Sequence, residues 1–213
     1  TNAATERVHA ISDRSMLLND AYKDMQRART GMSRLYSVLR ENMDEAAKTA
    51  ALASSEKGLK KAIELNHIIG SKTIVVASAG KTETKDDWKH VAEALSSASE
   101  ALKPEGMRSG YHNHQLEFIE KDGYRPIQVI AENTPKSVTL QFDVGTCMEV
   151  GYDPLAWVKA NPGRIRSLHL KDWGKGADRG YQVLFGEGGT PWKALLDLAA
   201  DKGGAEYFLI EQE

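Results

Sequence analysis

The sequence predicts an α/β protein built around a parallel sheet, and three observations carry that prediction. From Ser71 onward, apolar runs of strand length alternate with stretches of helical period. The runs recur at intervals of about 27–42 residues, which leaves room for a helix between neighbours and favours βα units over hairpins. Asp153-Pro154 and Thr190-Pro191 each set a capping residue before a proline at the first helical position, which marks two helices independently.

The elements follow in order. Residues 1–69 hold no proline and no alternating stretch. Met16, Leu17, Met25, Met32, Leu35, Tyr36, Leu39 and Met43 recur there at helical spacing among charges, interrupted by Gly31, as in amphipathic helices. A last helix runs through Leu59, Ala62, Ile63 and Leu65 and stops at Gly70. The strands expected beyond it are Thr73–Ser78, Met107–His114, Val138–Val144, Ile165–Lys171 and Tyr207–Glu211. Between them fall a helix over Asp86–Leu102, a shorter one over Pro126–Asn133, and the two marked by proline. Five strands are too few for a closed eight-stranded barrel, which takes about 250 residues. The organisation expected is an all-helical segment over 1–57 and an α/β region over 58–213.

Composition removes several classes. Apolar residues make up 41% and charged residues 27%, enough to bury a core, and no apolar run reaches the roughly 18 residues of a membrane span. A net charge of −2 gives no basic footprint for nucleic acid. One cysteine, Cys147, excludes a disulfide framework and a thiolate-rich zinc site, and it reads as an idle packed thiol. No secretory leader is visible, so a cytoplasmic location is expected, while an opening residue of Thr1 leaves processing open.

Strand parity then places the chemistry. Thr139, Gln141 and Asp143 share one face against Val138, Leu140 and Phe142, and Ser167, His169 and Lys171 oppose Leu168 and Leu170. Arg108, His112 and His114 share a face, as do Tyr207, Leu209 and Glu211. One face of the sheet therefore gathers Arg108, His112, His114, Gln141, Asp143, His169, Lys171 and Glu211, mostly at C-terminal strand ends, where parallel α/β folds place their ligand sites. Unpaired buried charges cost several kcal/mol each, and one divalent metal ion would compensate them. Carboxylate and imidazole donors without a thiolate suit Mn²⁺, Co²⁺, Zn²⁺ or Mg²⁺. Gly186-Glu187-Gly188-Gly189 lacks the lysine and spacing of a phosphate loop and reads as a turn before Thr190.

The stretch Gly110-Tyr111-His112-Asn113-His114-Gln115-Leu116-Glu117-Phe118 resembles the YHNHxxEF signature of the sugar phosphate isomerase/epimerase superfamily, the xylose isomerase-like TIM barrels. Phe142-Asp143-Val144, Gly151-Tyr152-Asp153-Pro154, Asn161-Pro162-Gly163-Arg164-Ile165, His169-Leu170-Lys171-Asp172, Gly186-Glu187-Gly188, Trp192 and Ile210-Glu211-Gln212 follow in the same order. The resemblance covers residues 58–213 and implies a (β/α)8 TIM-barrel type of fold, here partial, with about five βα units. It further implies a divalent metal at the barrel mouth held by Asp143, His169 and Glu211, with His112 standing where many relatives have a fourth ligand, a glutamate. That exchange weighs against simple two-base epimerisation and brings in His114 or Glu117 as substitutes. A second departure is Thr146, where many relatives have a substrate-binding histidine.

The activity so implied is a metal-dependent sugar isomerase or epimerase. A proton leaves the carbon beside a metal-polarised carbonyl, through an enediolate, with Glu211, His114, Lys171 and Glu117 as the acid–base candidates. Arg108, Gln141 and Trp173 are expected to bind a small sugar or keto-sugar. Two alternatives stand beside it: a lyase or hydratase on keto-sugars, and a non-catalytic sugar-binding or scaffold protein. An unclosed sheet also leaves edge strands for the front helices or a second copy in a homo-oligomer to cover.

Overall fold

The computed structural model describes residues 45–175 and 180–211. The chain divides into two compact units, residues 1–71 and 72–213. In the first, helix α1 (Glu45–Ile69) ends where Gly70 takes a left-handed backbone at φ 73°, which glycine adopts without a Cβ clash. The methionine-bearing segment around Met16–Met43 lies outside the described residues.

The second unit is a five-stranded sheet in the order β1 (Thr73–Val76), β2 (Arg108–His112), β3 (Thr139–Asp143), β4 (Ser167–Leu170), β5 (Tyr207–Ile210). Every neighbouring pair is parallel. Consecutive strands side by side are the arrangement of successive βα units, so the fold is a partial TIM barrel of the α/β class. The edges show it: all four residues of β5 are exposed, and none of β1 is fully buried.

Helices fill the intervals. α2 (Lys85–Leu102) starts at a capping box in which Thr84 accepts from the Asp87 amide and Asp87 accepts from the Thr84 amide. It buries Trp88, Val91, Leu95 and Leu102 and packs on β2. The Ser109 hydroxyl donates to Leu95 O of α2, which fixes Ser109 and Tyr111 on the helix side of β2 and turns Arg108, Gly110 and His112 to the other. Short helices α3 (Gln115–Phe118), α4 (Pro126–Glu132), α5 (Val144–Glu149) and α6 (Pro154–Ala160) follow, and α7 (Trp192–Leu198) precedes β5.

Of three expectations at element ends, two shift and one holds. Val144 does not extend β3 but opens α5, because Asp143 Oδ1 accepts from Thr146 N at 3.0 Å and makes Asp143 the N-cap. Asp153 caps α6 as expected, accepting from Leu155 N at 2.8 Å. Thr190 does not cap α7: the helix begins at Trp192, with Pro191 in the cap position and no side-chain cap bond.

The core lies between the sheet and these helices, with Tyr111, Leu140, Phe142, Leu168, Ile130 and Trp157 all essentially inaccessible. Arg164 stitches that layer together, donating to Val138 O, Ala131 O and Thr134 Oγ1, so the end of α4 and the start of β3 share one guanidinium. Trp157 on α6 meets Phe118 edge-on with ring centroids 5.4 Å apart. Trp157→Ala is expected to destabilise the fold by about 3–5 kcal/mol through the cavity it leaves, read from the urea midpoint at unchanged m-value.

At the N-terminal end of the strands, Glu206 accepts from both guanidinium nitrogens of Arg108, at 2.8 and 2.9 Å, and from Arg166 at 2.7 Å. The Arg108 hydrogen bond, joined by Arg166 and opposed by burial, holds the Glu206 carboxyl down to about 2. A lowered folded-state value stabilises at any pH above the ordinary carboxylate range and is lost as pH falls through the folded value. The stability gap between wild type and Glu206→Gln is therefore constant above about pH 5 and closes as pH approaches 2, as denaturant titrations across that window will show.

Candidate active site

The site is assembled at the opposite end, from the last residues of successive strands. Register pairs His112 with Gln141 and Asp143 with His169, so adjacent strands bring imidazole and carboxylate to one face. His112, Asp143 and His169 each offer one donor atom, and these atoms lie within 4.8 Å of one another. His112 Nε2 is 4.0 Å from Asp143 Oδ2, and the His112 and His169 ring centroids are 4.6 Å apart.

Glu211 stands at the edge of this cluster, with Oε2 2.5 Å from His169 Nδ1 and Oε1 3.4 Å from Lys171 Nζ. Lys171 is buried, and its ammonium also sits over the Tyr181 ring, 4.3 Å from the centroid. Its path past α5 depends on Gly145, where a Cβ would come within 2.8 Å of Lys171 Cγ.

Electrostatics follow from burial and contact. Burial, with the neighbouring His169 and His114 rings, pushes His112 down to about 4, which keeps it a neutral ligand-ready imidazole. Burial raises the Asp143 carboxyl above its ordinary value, against the opposing Thr146 amide and Lys171 charge. Burial alone would raise Glu211 as well, but the His169 hydrogen bond and charge, with Lys171, outweigh it and hold Glu211 below the usual range. Burial pushes the Cys147 thiol far up, leaving it inert at neutral pH.

The donor set fits a divalent cation. Two imidazoles and a carboxylate converge, and His112 Nδ1 is buried with no hydrogen-bond partner, a cost that a nearby cation would account for.

The structure brings together His112, His114, Gln141, Asp143, His169, Lys171 and Glu211 of the residues singled out from the sequence. His114 meets His112 edge-on at 5.0 Å, and Gln141 donates to Ser167 Oγ beneath the cluster. Trp173 is half-buried and packs edge-on against Tyr181 at 4.7 Å. Glu117 is engaged elsewhere: one oxygen accepts from Tyr111 OH at 2.7 Å and the other from His114 N at 2.9 Å. Arg108 has the right parity but the wrong end, since four residues at about 3.3 Å each separate it from His112, and it binds Glu206.

Three contributors escaped the sequence reading. Asn113 clips β2 to β3, its oxygen accepting from Asp143 N at 3.0 Å and its nitrogen donating to Asp143 O and Thr146 Oγ1. Tyr181 crosses the mouth to donate to Glu149 at 2.6 Å while covering Lys171. Asp172 accepts from the Gly186 and Gly188 amides further along the chain. Asn113 could have been suspected from its place between two histidines, whereas nothing local to Tyr181 announces its contacts.

Fold and site together define a partial α/β barrel with a histidine–carboxylate cluster at its C-terminal mouth. The chain belongs to the xylose isomerase-like TIM barrel family, whose profile matches residues 27–213, beginning ahead of residue 58, where the resemblance was expected to begin. Its relatives include an inosose dehydratase of Clostridium perfringens, 24% identical over 196 residues that span 78% of this chain and 65% of that protein. One from Lacticaseibacillus casei is 23% identical, over 69% of this chain and 59% of the relative. The chain thus spans about three fifths of the curated relatives it matches. A solved sugar phosphate isomerase/epimerase from Parabacteroides distasonis superposes with a TM-score of 0.63 at 28% identity, covering 74% of this chain and 55% of that one. The IOLI protein, solved with a bound zinc, shares the fold with a TM-score of 0.60 at 16% identity, over 85% and 72% of the two chains.

Proposed function

We propose that this chain carries the metal-holding part of an enzyme that removes a proton beside the carbonyl of a keto-sugar or keto-cyclitol and expels the hydroxyl one carbon further on. The observation that carries the reading is the Lys171–Glu211 pair at the rim of the cluster. It sets one base and one acid on the same side. Glu117, the other glutamate on offer, is held by Tyr111 and His114. A base and an acid on one side serve elimination, whereas epimerisation returns the proton to the opposite face of the carbon.

Asp143, His169 and His112 would hold the cation, which supplies Lewis-acid polarisation of the substrate carbonyl. Glu211, kept ionised by His169 and Lys171, accepts the proton from the carbon beside that carbonyl, and the C–H electron pair moves into the enolate. The Lys171 ammonium donates a proton to the hydroxyl as its C–O bond breaks, releasing water and leaving an unsaturated ketone. Glu211 then passes its proton to Lys171 across their 3.4 Å contact, which restores both groups. The names of the inosose dehydratases among its relatives support dehydration, with inosose as the first substrate to try. The Parabacteroides relative supports a second reading, isomerisation, in which Glu211 returns the proton to the neighbouring carbon.

The test is incubation with inosose and a panel of keto-sugars in D₂O after loading with Mn²⁺, Co²⁺ or Zn²⁺. Elimination gives an absorbing unsaturated ketone; isomerisation gives an isomer without that absorbance, deuterated only to the extent that the proton held by Glu211 exchanges with solvent before its return. No change in any substrate with any metal refutes both.

A further inference from the structure

We propose that Asp172 is a positioning residue: it locks the Gly186–Gly188 segment and the Trp173 backbone into one wall beside Lys171, and that wall shapes the pocket for the keto-sugar. The inference rests on the functional reading above.

Asp172 is wholly buried, and its two oxygens hold four N–H groups. Oδ1 accepts from Trp173 N at 2.9 Å, while Oδ2 accepts from Gly186 N at 2.9 Å, Gly188 N at 3.0 Å and Trp192 Nε1 at 2.8 Å. Three of these donors lie 14 to 20 residues further along the chain, so one carboxylate ties the end of β4 to Gly186, Gly188 and the first residue of α7. A buried carboxylate is tolerated when amide and indole donors surround it, and hydrogen bonds to a charged acceptor are roughly twice as strong as neutral ones. Trp173 O adds a fifth tie by accepting from Gly189 N at 2.8 Å.

The glycines make this approach possible. A Cβ on Gly188 would lie 2.2 Å from Asp172 Oδ1, and Gly186 sits at φ 92°. The amides of the glycine-rich loop therefore point at an internal carboxylate, which fills the place an external anion would take. Both chain neighbours of Asp172 reach the mouth. Lys171 extends to Glu211 and Tyr181, and Trp173 packs on Tyr181. Fixing the Asp172 backbone thus fixes the two side chains that flank it.

Asp172→Asn tests the idea, because it keeps the size but replaces one acceptor oxygen with a donor. Expected are exchange of the Gly186 and Gly188 amides with D₂O at least about 10-fold faster, a KM raised about 10-fold and a kcat lowered less than about 3-fold. Metal uptake should stay at wild-type level. Asp172→Ala with added formate is the second arm, since a small carboxylate in the vacated space should lower KM again. Unchanged amide exchange would show that the carboxylate does not hold the loop. Faster exchange with unchanged KM would remove the wall from the pocket, and loss of metal would assign Asp172 to supporting the cluster. A wild-type protein inert toward every keto-sugar refutes the functional reading and the pocket role together; an active wild type with the other outcomes refutes only the role of Asp172.

Discussion

Asp143→Asn is expected to weaken Zn²⁺ or Mn²⁺ uptake by at least about 100-fold while leaving the protein folded, since loss of a mere outer-shell partner already costs 10–100-fold. The substitution separates two roles of one side chain. As a cap, Asp143 accepts from the Thr146 amide through Oδ1, and the asparagine oxygen can do the same. As a donor to a cation, it supplies the negative charge in a set whose other members, His112 and His169, are imidazoles. Removing that charge leaves a divalent ion facing two imidazoles in a buried setting, where compensation matters most. Calorimetric titration of the metal, paired with the urea midpoint, reads both roles at once. A variant that binds metal as the wild type does would remove Asp143 from the ligand set. A large fall in the midpoint without metal would show that the cap dominates.

Much of this site was legible because a parallel sheet turns sequence parity into spatial address. Asp143 and His169 lie at odd positions of their strands, and register puts them side by side. The same rule misplaced Arg108, since parity gives the face and not the end of the strand, and its partner Glu206 sits ahead of β5 at the base of the sheet. Glu117 shows another limit. Its place three residues after His114 also suits a helix start, and there its carboxylate takes the His114 amide. Tyr181 and Asp172 were invisible for a different reason: their contacts run across loops, to Glu149, Gly186 and Trp192, with no period to read. The element ends moved where side chains competed with the backbone, as when Asp143 turned the end of a strand into a cap.

Glu211→Gln is expected to lower turnover by about 10²–10⁴, the usual contribution of a positioned general base, while metal still binds stoichiometrically. The amide has the same shape and retains an oxygen for Lys171, so the change removes basicity more than structure. Glu211 is well placed for that role because its carboxyl is held ionised by His169 and Lys171 and remains only partly covered. The converging donor set consists of His112, Asp143 and His169, and Glu211 meets it through His169 Nδ1. Measuring turnover and metal content on the same sample distinguishes base from ligand. Loss of turnover with metal retained assigns Glu211 as the base, and loss of both assigns it to the ligand set. Exchange of the proton beside the carbonyl with D₂O sharpens the reading further, because a base acts on that step before any hydroxyl departs. If the variant exchanges this proton as fast as the wild type, another group removes it, and His114, whose ring centroid lies 5.0 Å from that of His112, becomes the residue to replace next.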